Sequence, residues 1–324
     1  MITREIIALD TPNITELQRQ TIQSIEYFSK IQRLRVEKNE FIQEKLKKIS
    51  KQRDKFRDFA EQSITNVLKI SSHADDIILF ADCCIDDDIS NYELLKLLRP
   101  TLSNATLNKN NSELLKDLLV KIKTRLETIS TDITDHNVKI NNTRNNLREC
   151  IDDVDEMKND EYLAVKNNKF ISYVGSAVAL GAAPFTGGAS LVAETFVGIG
   201  AIAFFGGAVV ANNHAYEARA YSACGNVLNY LAKEVEEISP CLSEMKECLK
   251  KINEIISYCE SYWTIEIENI DKIIKGLESC KTTRRPMIKH SAVLFSLRAK
   301  RIQEEAKFYI VAMRAAVNAD RISG

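Results

Sequence analysis

Glycine is missing from the first 174 residues, and proline is missing between Pro12 and Pro100. These are the two usual helix breakers, so their absence over such lengths favours uninterrupted helix. The N-terminal stretch MITREIIALDTPN lacks the long apolar core of a secretory signal: Ile6 to Leu9 is short and is followed by Asp10 and Pro12. The chain is therefore expected to be made in the cytosol without such a signal. A net charge of −1 over 324 residues excludes bulk electrostatic attraction to nucleic acid or anionic lipid. The eight cysteines contain no C-x-x-C pair and are scattered, which reads as reduced thiols on helix faces. His73, His136, His214 and His290 have no ligand spacing to one another or to paired cysteines, so no metal site is expected.

What the chain has instead is apolar residues at helical spacing. Ile42, Leu46, Ile49, Phe56, Ala60, Val67, Ile70, Ala74, Ile77 and Ala81 mark a seam stepping by three and four, with Arg53 and Ser63 as polar interruptions. One helix is expected over 13–82, capped by Asn13 or Thr15 and roughly 100 Å long at 1.5 Å per residue. CCIDDDISN breaks it, a short helix from Tyr92 to Leu98 is expected to end at Pro100, and SNATLNKNNS reads as a turn. From Ser112 a second pattern runs through Leu115, Leu119, Ile122, Leu126, Ile129, Ile133, Ile140, Leu147, Ile151 and Val154 to about Lys169. The pattern resumes at Tyr221, Val227, Leu231, Val235 and Ile238, where Pro240 is expected to kink or interrupt it, and continues from Leu242 to about Gly276. A last helix is expected over 287–322. The expected fold is all-α: a single elongated domain, 1–324, built as an antiparallel bundle of long coiled-coil-like helices.

Between the second and third patterns lies FISYVGSAVALGAAPFTGGASLVAETFVGIGAIAFFGGAVVANN, residues 170–213, whose one charge is Glu194 and which holds eight of the eleven glycines. It reads as a hydrophobic, membrane-inserting hairpin at one end of the bundle. Phe170, Tyr173, Val174, Val178 and Leu180 form the apolar face of a first arm. Pro184, Phe185, Gly187 and Gly188 form a turn, with Glu194 near the tip. Leu191, Val192, Phe196, Val197, Ile199, Ile202, Phe204, Phe205, Val209 and Val210 belong to a second arm, long enough for the ~20 residues a bilayer span needs. Gly175, Ala179 and Ala183 in one arm, and Ala203, Gly207 and Ala211 in the other, repeat every fourth position and allow close helix approach. Lys166 and Lys169 before the block, and Asn212, Asn213 and His214 after it, form a polar collar suited to a headgroup layer. A buried core hairpin and a permanent anchor are the alternatives. The density of glycine favours a segment that changes conformation.

Catalytic motifs fail. Gly198-Ile-Gly200-Ala-Ile-Ala203 spells a dinucleotide fingerprint but lacks the strand–turn–helix context, and Gly181 to Ser190 lacks the lysine of a phosphate loop. His73-Ala-Asp75-Asp76 reads as a solvated helix face, and Lys45 to Arg57 as a charged face mixed with seam residues. Trp263, Tyr258 and Tyr262 read as ordinary packing. No enzyme activity and no cofactor are expected.

In organisation the chain resembles the α-helical pore-forming toxins of the cytolysin A superfamily. Within them it is most similar to the B component of binary cytolysins of the Xax/Yax (xenorhabdolysin) kind. The resemblance is carried by the patterns at 13–82 and 112–169, the block Phe170–Asn213 and the helical pattern from His214. It implies a soluble monomer that is released, meets a target-cell bilayer and oligomerises there with an A-type partner. It also implies hairpins that swing out around a pore. One feature sits awkwardly with that: the block offers few polar residues to face a lumen. The competing expectation is a coiled-coil protein that docks or remodels membranes without making a hole.

Overall fold

The computed structural model describes residues 11–36, 39–156, 214–279 and 285–323, and every regular element among them is helical. Five helices follow in order: α1 (Ile14–Gln32), α2 (Glu40–Ile85), α3 (Asn91–Glu156), α4 (His214–Glu278) and α5 (Arg285–Ser323). Two compact units are formed. The first draws on Met1–Ser29, Lys51–Leu126 and Glu244–Gly324, the second on Lys30–Ser50 and Glu127–Ser243.

Helix starts follow their caps. The Asn13 side-chain oxygen accepts from the Glu16 N–H at 2.9 Å, as expected for the start of α1. At α3, Ser90 and Glu93 form a reciprocal capping box: the Glu93 N–H donates to Ser90 Oγ at 3.3 Å, and the Ser90 N–H to Glu93 Oε2 at 2.8 Å.

Three expectations are corrected. The helix expected over 13–82 is two helices, because Asn39 starts a new one. Its Oδ1 accepts from the Ile42 N–H at 3.0 Å and its carbonyl from the Gln43 N–H at 2.8 Å. The short helix ending at Pro100 and the turn at 103–112 are instead continuous α3, with Pro100 inside it. Pro100 is exposed, and the seam beneath continues unbroken through Leu98, Thr101, Ala105, Asn108 and Ser112, all buried. Burial on that seam outweighs one lost backbone hydrogen bond and the local strain of proline, about 3 kcal/mol. Of the kink or interruption expected at Pro240, the interruption is absent: Pro240 lies inside continuous α4.

In the first unit, buried residues of α3 step strictly by four and three: Leu94, Leu98, Thr101, Ala105, Asn108, Ser112, Leu115, Leu119, Ile122 and Leu126. This 3.5-residue period is the mark of coiled-coil seams. Pairing runs antiparallel there. Ser63 and Asp75 of α2, and Asp87 just beyond its end, meet Tyr309, Gln303 and Lys289 of α5, partner numbers falling as residue numbers rise. Arg99 and Lys116 of α3 meet Glu278 and Glu260 of α4 in the same sense. The large buried rings Phe28, Phe56 and Phe59 lie in series, Phe28 tilted against Phe56 and Phe56 stacked on Phe59, with centroids 5.4 and 5.3 Å apart. In the second unit the seam of α3 continues through Ile129, Ile133, His136, Ile140 and Thr143, and α4 buries Leu228, Leu231, Val235, Ile238 and Leu242.

The strongest polar tie of the first unit is the Asp320 carboxylate, about 5% exposed. It accepts from Arg53 Nη2 at 2.6 Å, from Arg57 Nη2 at 3.1 Å and from Ser29 Oγ at 2.9 Å, joining α1, α2 and α5. Burial pushes its pKa up, but the hydrogen bonds from Arg53 and Ser29 and the charge of Arg53 outweigh that and hold it below the ordinary aspartate value. Removing one partner strands the other charge in the interior. Asp320→Ala is therefore expected to lower the unfolding free energy by about 3–5 kcal/mol. Lys116→Ala, which breaks a half-exposed pair with Glu260, should cost no more than about 1 kcal/mol. Because the folded pKa is depressed, the contribution of Asp320 is complete above the ordinary aspartate range and lost as pH falls through the folded value. Urea titrations against pH should show a shallower acid limb in Asp320→Asn than in the unsubstituted protein.

Candidate functional site

The described chain reaches the candidate membrane element from both sides. α3 ends at Glu156 and α4 begins at His214. Residues 157–213 lie outside the described residues. That segment holds the whole expected hairpin: the apolar set Phe170 to Val210, the small-residue rows, the tip at Pro184 to Glu194, and the collar residues Lys166, Lys169, Asn212 and Asn213. His214 is the first residue of α4, and its side chain is also outside the description. Among the described residues, no helix is long and apolar enough to cross a membrane. Among them, too, no group of three His, Cys, Asp or Glu residues is placed to hold a metal ion.

The polar centre that the structure does assemble lies in the first unit and was not expected. His73 is not on a solvated face: it is buried on α2, with its ring edge-on to Trp263 of α4 at 4.9 Å. Its Nε2 lies 3.9 Å from the buried Glu266 carboxylate, which Arg298 of α5 engages directly. Asp75 and Asp76 point outward from the same turn, and Asp75 accepts from Gln303. The Arg298 guanidinium lies over the rings of Tyr262 and Phe295, at 5.8 and 5.4 Å from their centroids. Burial, and then the negative charge of Glu266, push the Tyr262 phenol well above its ordinary value. Burial also pushes the neighbouring Cys259 thiol up to about 12, leaving it a protonated, unreactive core side chain. Trp263 and Tyr262 are packing residues, as expected, and Tyr258 is half-exposed.

A cavity of about 940 Å³ opens beside this centre, lined by the start of α1 (Pro12, Asn13), by Glu254 and Tyr258 of α4, and by Leu294, Arg298 and Arg301 of α5. Its cations are already engaged, Arg298 by Glu266 and Arg301 by Glu305 at 3.0 Å. The cavity therefore offers no spare positive charge to an anion, and the arrangement contains no nucleophile–base pair. Its chemistry is that of an interior tie between α2, α4 and α5. The signal that would have found it is phase. Lys45, Gln52, Phe59, Asn66, His73 and Phe80 recur every seven residues and are all buried, but four of the six are polar and escape a search for apolar spacing.

No protein-family model matches the chain, and no curated protein matches it. Solved structures do. The pre-pore AhlB of the tripartite α-pore-forming toxin AHL from Aeromonas hydrophila aligns with a TM-score of 0.52 at 14% identity, over 93% of this chain and 95% of that one. The AhlB pore aligns with a TM-score of 0.50 at 15% identity, over 94% and 96%. At such identity the likeness is one of fold alone, a helical bundle matched along nearly the full length of both chains.

If the His73 centre is a tie rather than a reactive site, His73→Phe keeps the ring contact with Trp263 and removes two buried nitrogens. It is expected to change stability by less than about 1 kcal/mol. Glu266→Ala strands Arg298 and should cost about 3–5 kcal/mol. Fluorescence of the single tryptophan, Trp263, during urea unfolding reads both.

Proposed function

We propose that this chain is a component of an α-helical pore-forming toxin that inserts residues 170–213 into a target-cell bilayer and oligomerises there with further components. The observation that carries the reading is a conjunction. A 44-residue block with one charge interrupts the helical pattern, in a fold shared end to end with the pore and pre-pore forms of AhlB. The block's apolar surface needs cover in water, since burying each large side chain is worth roughly 1.5–3 kcal/mol. Entering lipid satisfies that need, and helix pairing along the rows Gly175–Ala179–Ala183 and Ala203–Gly207–Ala211 lets the two arms enter together. Glu194 then sits near the tip, where it stays hydrated on the far side of the bilayer.

Partner components are part of the same proposal. AhlB belongs to a tripartite toxin, and the organisation of the chain resembles the B component of binary cytolysins. An A-type partner is therefore expected to supply polar wall that residues 170–213 lack. That same scarcity of polar residues favours one rival: a membrane-docking or remodelling protein that binds lipid without opening a hole.

Dye release from liposomes separates the two. Leakage is expected from this protein combined with its partner components, and weak or no leakage from it alone. Binding without leakage in every combination supports the rival. Ala203→Lys or Gly200→Asp should abolish leakage while leaving the folded protein in solution unchanged. Normal leakage by either variant would show that another element inserts.

A further inference from the structure

In the second unit the start of α2 is held by an arrangement that works with only one protonation state of a histidine. Asn39 and His136 are both buried, 1% and 6% exposed. Asn39 Oδ1 is occupied as the cap of α2, accepting from the Ile42 N–H at 3.0 Å. Its amide nitrogen therefore faces His136 Nε2, 3.4 Å away, and can only donate. The ring nitrogen must accept, so the imidazole is neutral. The charges around the ring also disfavour a cation there. The His136 ring is stacked on Phe41 with centroids 4.2 Å apart. Lys45 of α2 lies over that same Phe41 ring at 4.7 Å, and Lys139 lies one turn further along α3. Asp132, the nearby carboxylate, is engaged by Lys45 at 2.5 Å.

We propose that Asn39, Phe41 and His136 form an acid-sensitive latch that holds the start of α2 against α3 at neutral pH and releases it on mild acidification. Protonation sets an N–H against an N–H. Asn39 can relieve the conflict only by turning its oxygen to the ring, which strips the cap from Ile42. Burial, with the charges of Lys139 and Lys45, pushes the His136 pKa down to about 4 from 6.5. The sign follows: the latch contributes fully above the ordinary histidine value, and its contribution is lost as pH falls from there towards the folded value. At pH 5 the released form gains roughly 20-fold in population relative to pH 7. The consequence for membrane action rests on the proposed pore-forming function. α3 and α4 of this unit lead into and out of residues 157–213, so loosening the α2–α3 contact frees one of the helices that flank the membrane element.

The latch is tested first without a membrane. In the full-length, histidine-labelled protein, the four imidazoles are titrated by NMR while hydrogen exchange is followed at the Ile42 and Gln43 amides. His136 is expected to titrate below pH 5, and Ile42 protection, corrected for intrinsic exchange, to fall at least about tenfold between pH 7 and 5. His136→Gln, a neutral acceptor, should abolish that fall. A His136 titrating near 6.5, or the same loss of protection in His136→Gln, overturns the latch; the titration alone decides if the variant does not fold. Leakage from phosphatidylcholine–phosphatidylglycerol vesicles, with partner components, is then compared at pH 7 and 5. Acid-accelerated leakage that His136→Gln removes supports the link to membrane action. A latch that titrates as expected in a protein that never causes leakage sustains the latch and overturns the function.

Discussion

Everything in this molecule hangs on a seam with a 3.5-residue period. A helix of 46 to 66 residues has little stability by itself in water and is held by burying one stripe along its length. α2 and α3 bury such stripes without a missed step, even where the seam residue is Thr, Asn, Ser or His. The repeat is strong enough to carry α3 through Pro100 and α4 through Pro240. Each proline removes one backbone hydrogen bond, but each sits exposed, off the seam, where the packing beneath is untouched.

An apolar seam by itself leaves register loose, because sliding one helix by a heptad restores the same contacts. The polar residues set into the seam remove that freedom. Arg53 reaches Asp320, Ser63 Oγ pairs with the buried Tyr309 hydroxyl at 2.6 Å, and Glu266 binds Arg298. Each pairing is satisfied in one register and leaves a buried charge or hydroxyl stranded in any other. Such ties add little net stability over well-packed apolar residues, yet breaking one is costly. That asymmetry suits them to specifying a single arrangement of long, similar helices.

This explains what the sequence disclosed and what it hid. Helix content, the seams of α2, of α3 from Ser112 on and of α4, and the antiparallel bundle could be read from apolar spacing and the scarcity of Gly and Pro. The separation of α1 from α2 was hidden because one capping residue, Asn39, decides it within an otherwise helical stretch. The stretch of α3 from Pro100 to Ser112 was hidden because its seam is Thr101, Ala105, Asn108 and Ser112, small or polar residues next to a proline. Arg53 and Ser63, which looked like flaws in a seam, are two of the points where α2 is tied to α5. His73 was misplaced for the same reason: one turn of sequence, His-Ala-Asp-Asp, reads as solvated, whereas its heptad position places it inside. The candidate membrane element is the opposite case. Its composition stands out in the sequence, while residues 157–213 lie outside the described structure, so its role is a proposal.

The two lines converge on one claim: a bundle held by seams and polar ties delivers residues 170–213 to a bilayer. Photoactivatable phospholipid in the acyl region, with cross-links mapped by mass spectrometry after the protein meets vesicles, addresses it directly. The account predicts cross-links concentrated between Phe170 and Val210, with the outward faces of α1 to α5 free of label. Label spread along those helix faces, with none between Phe170 and Val210, would contradict it.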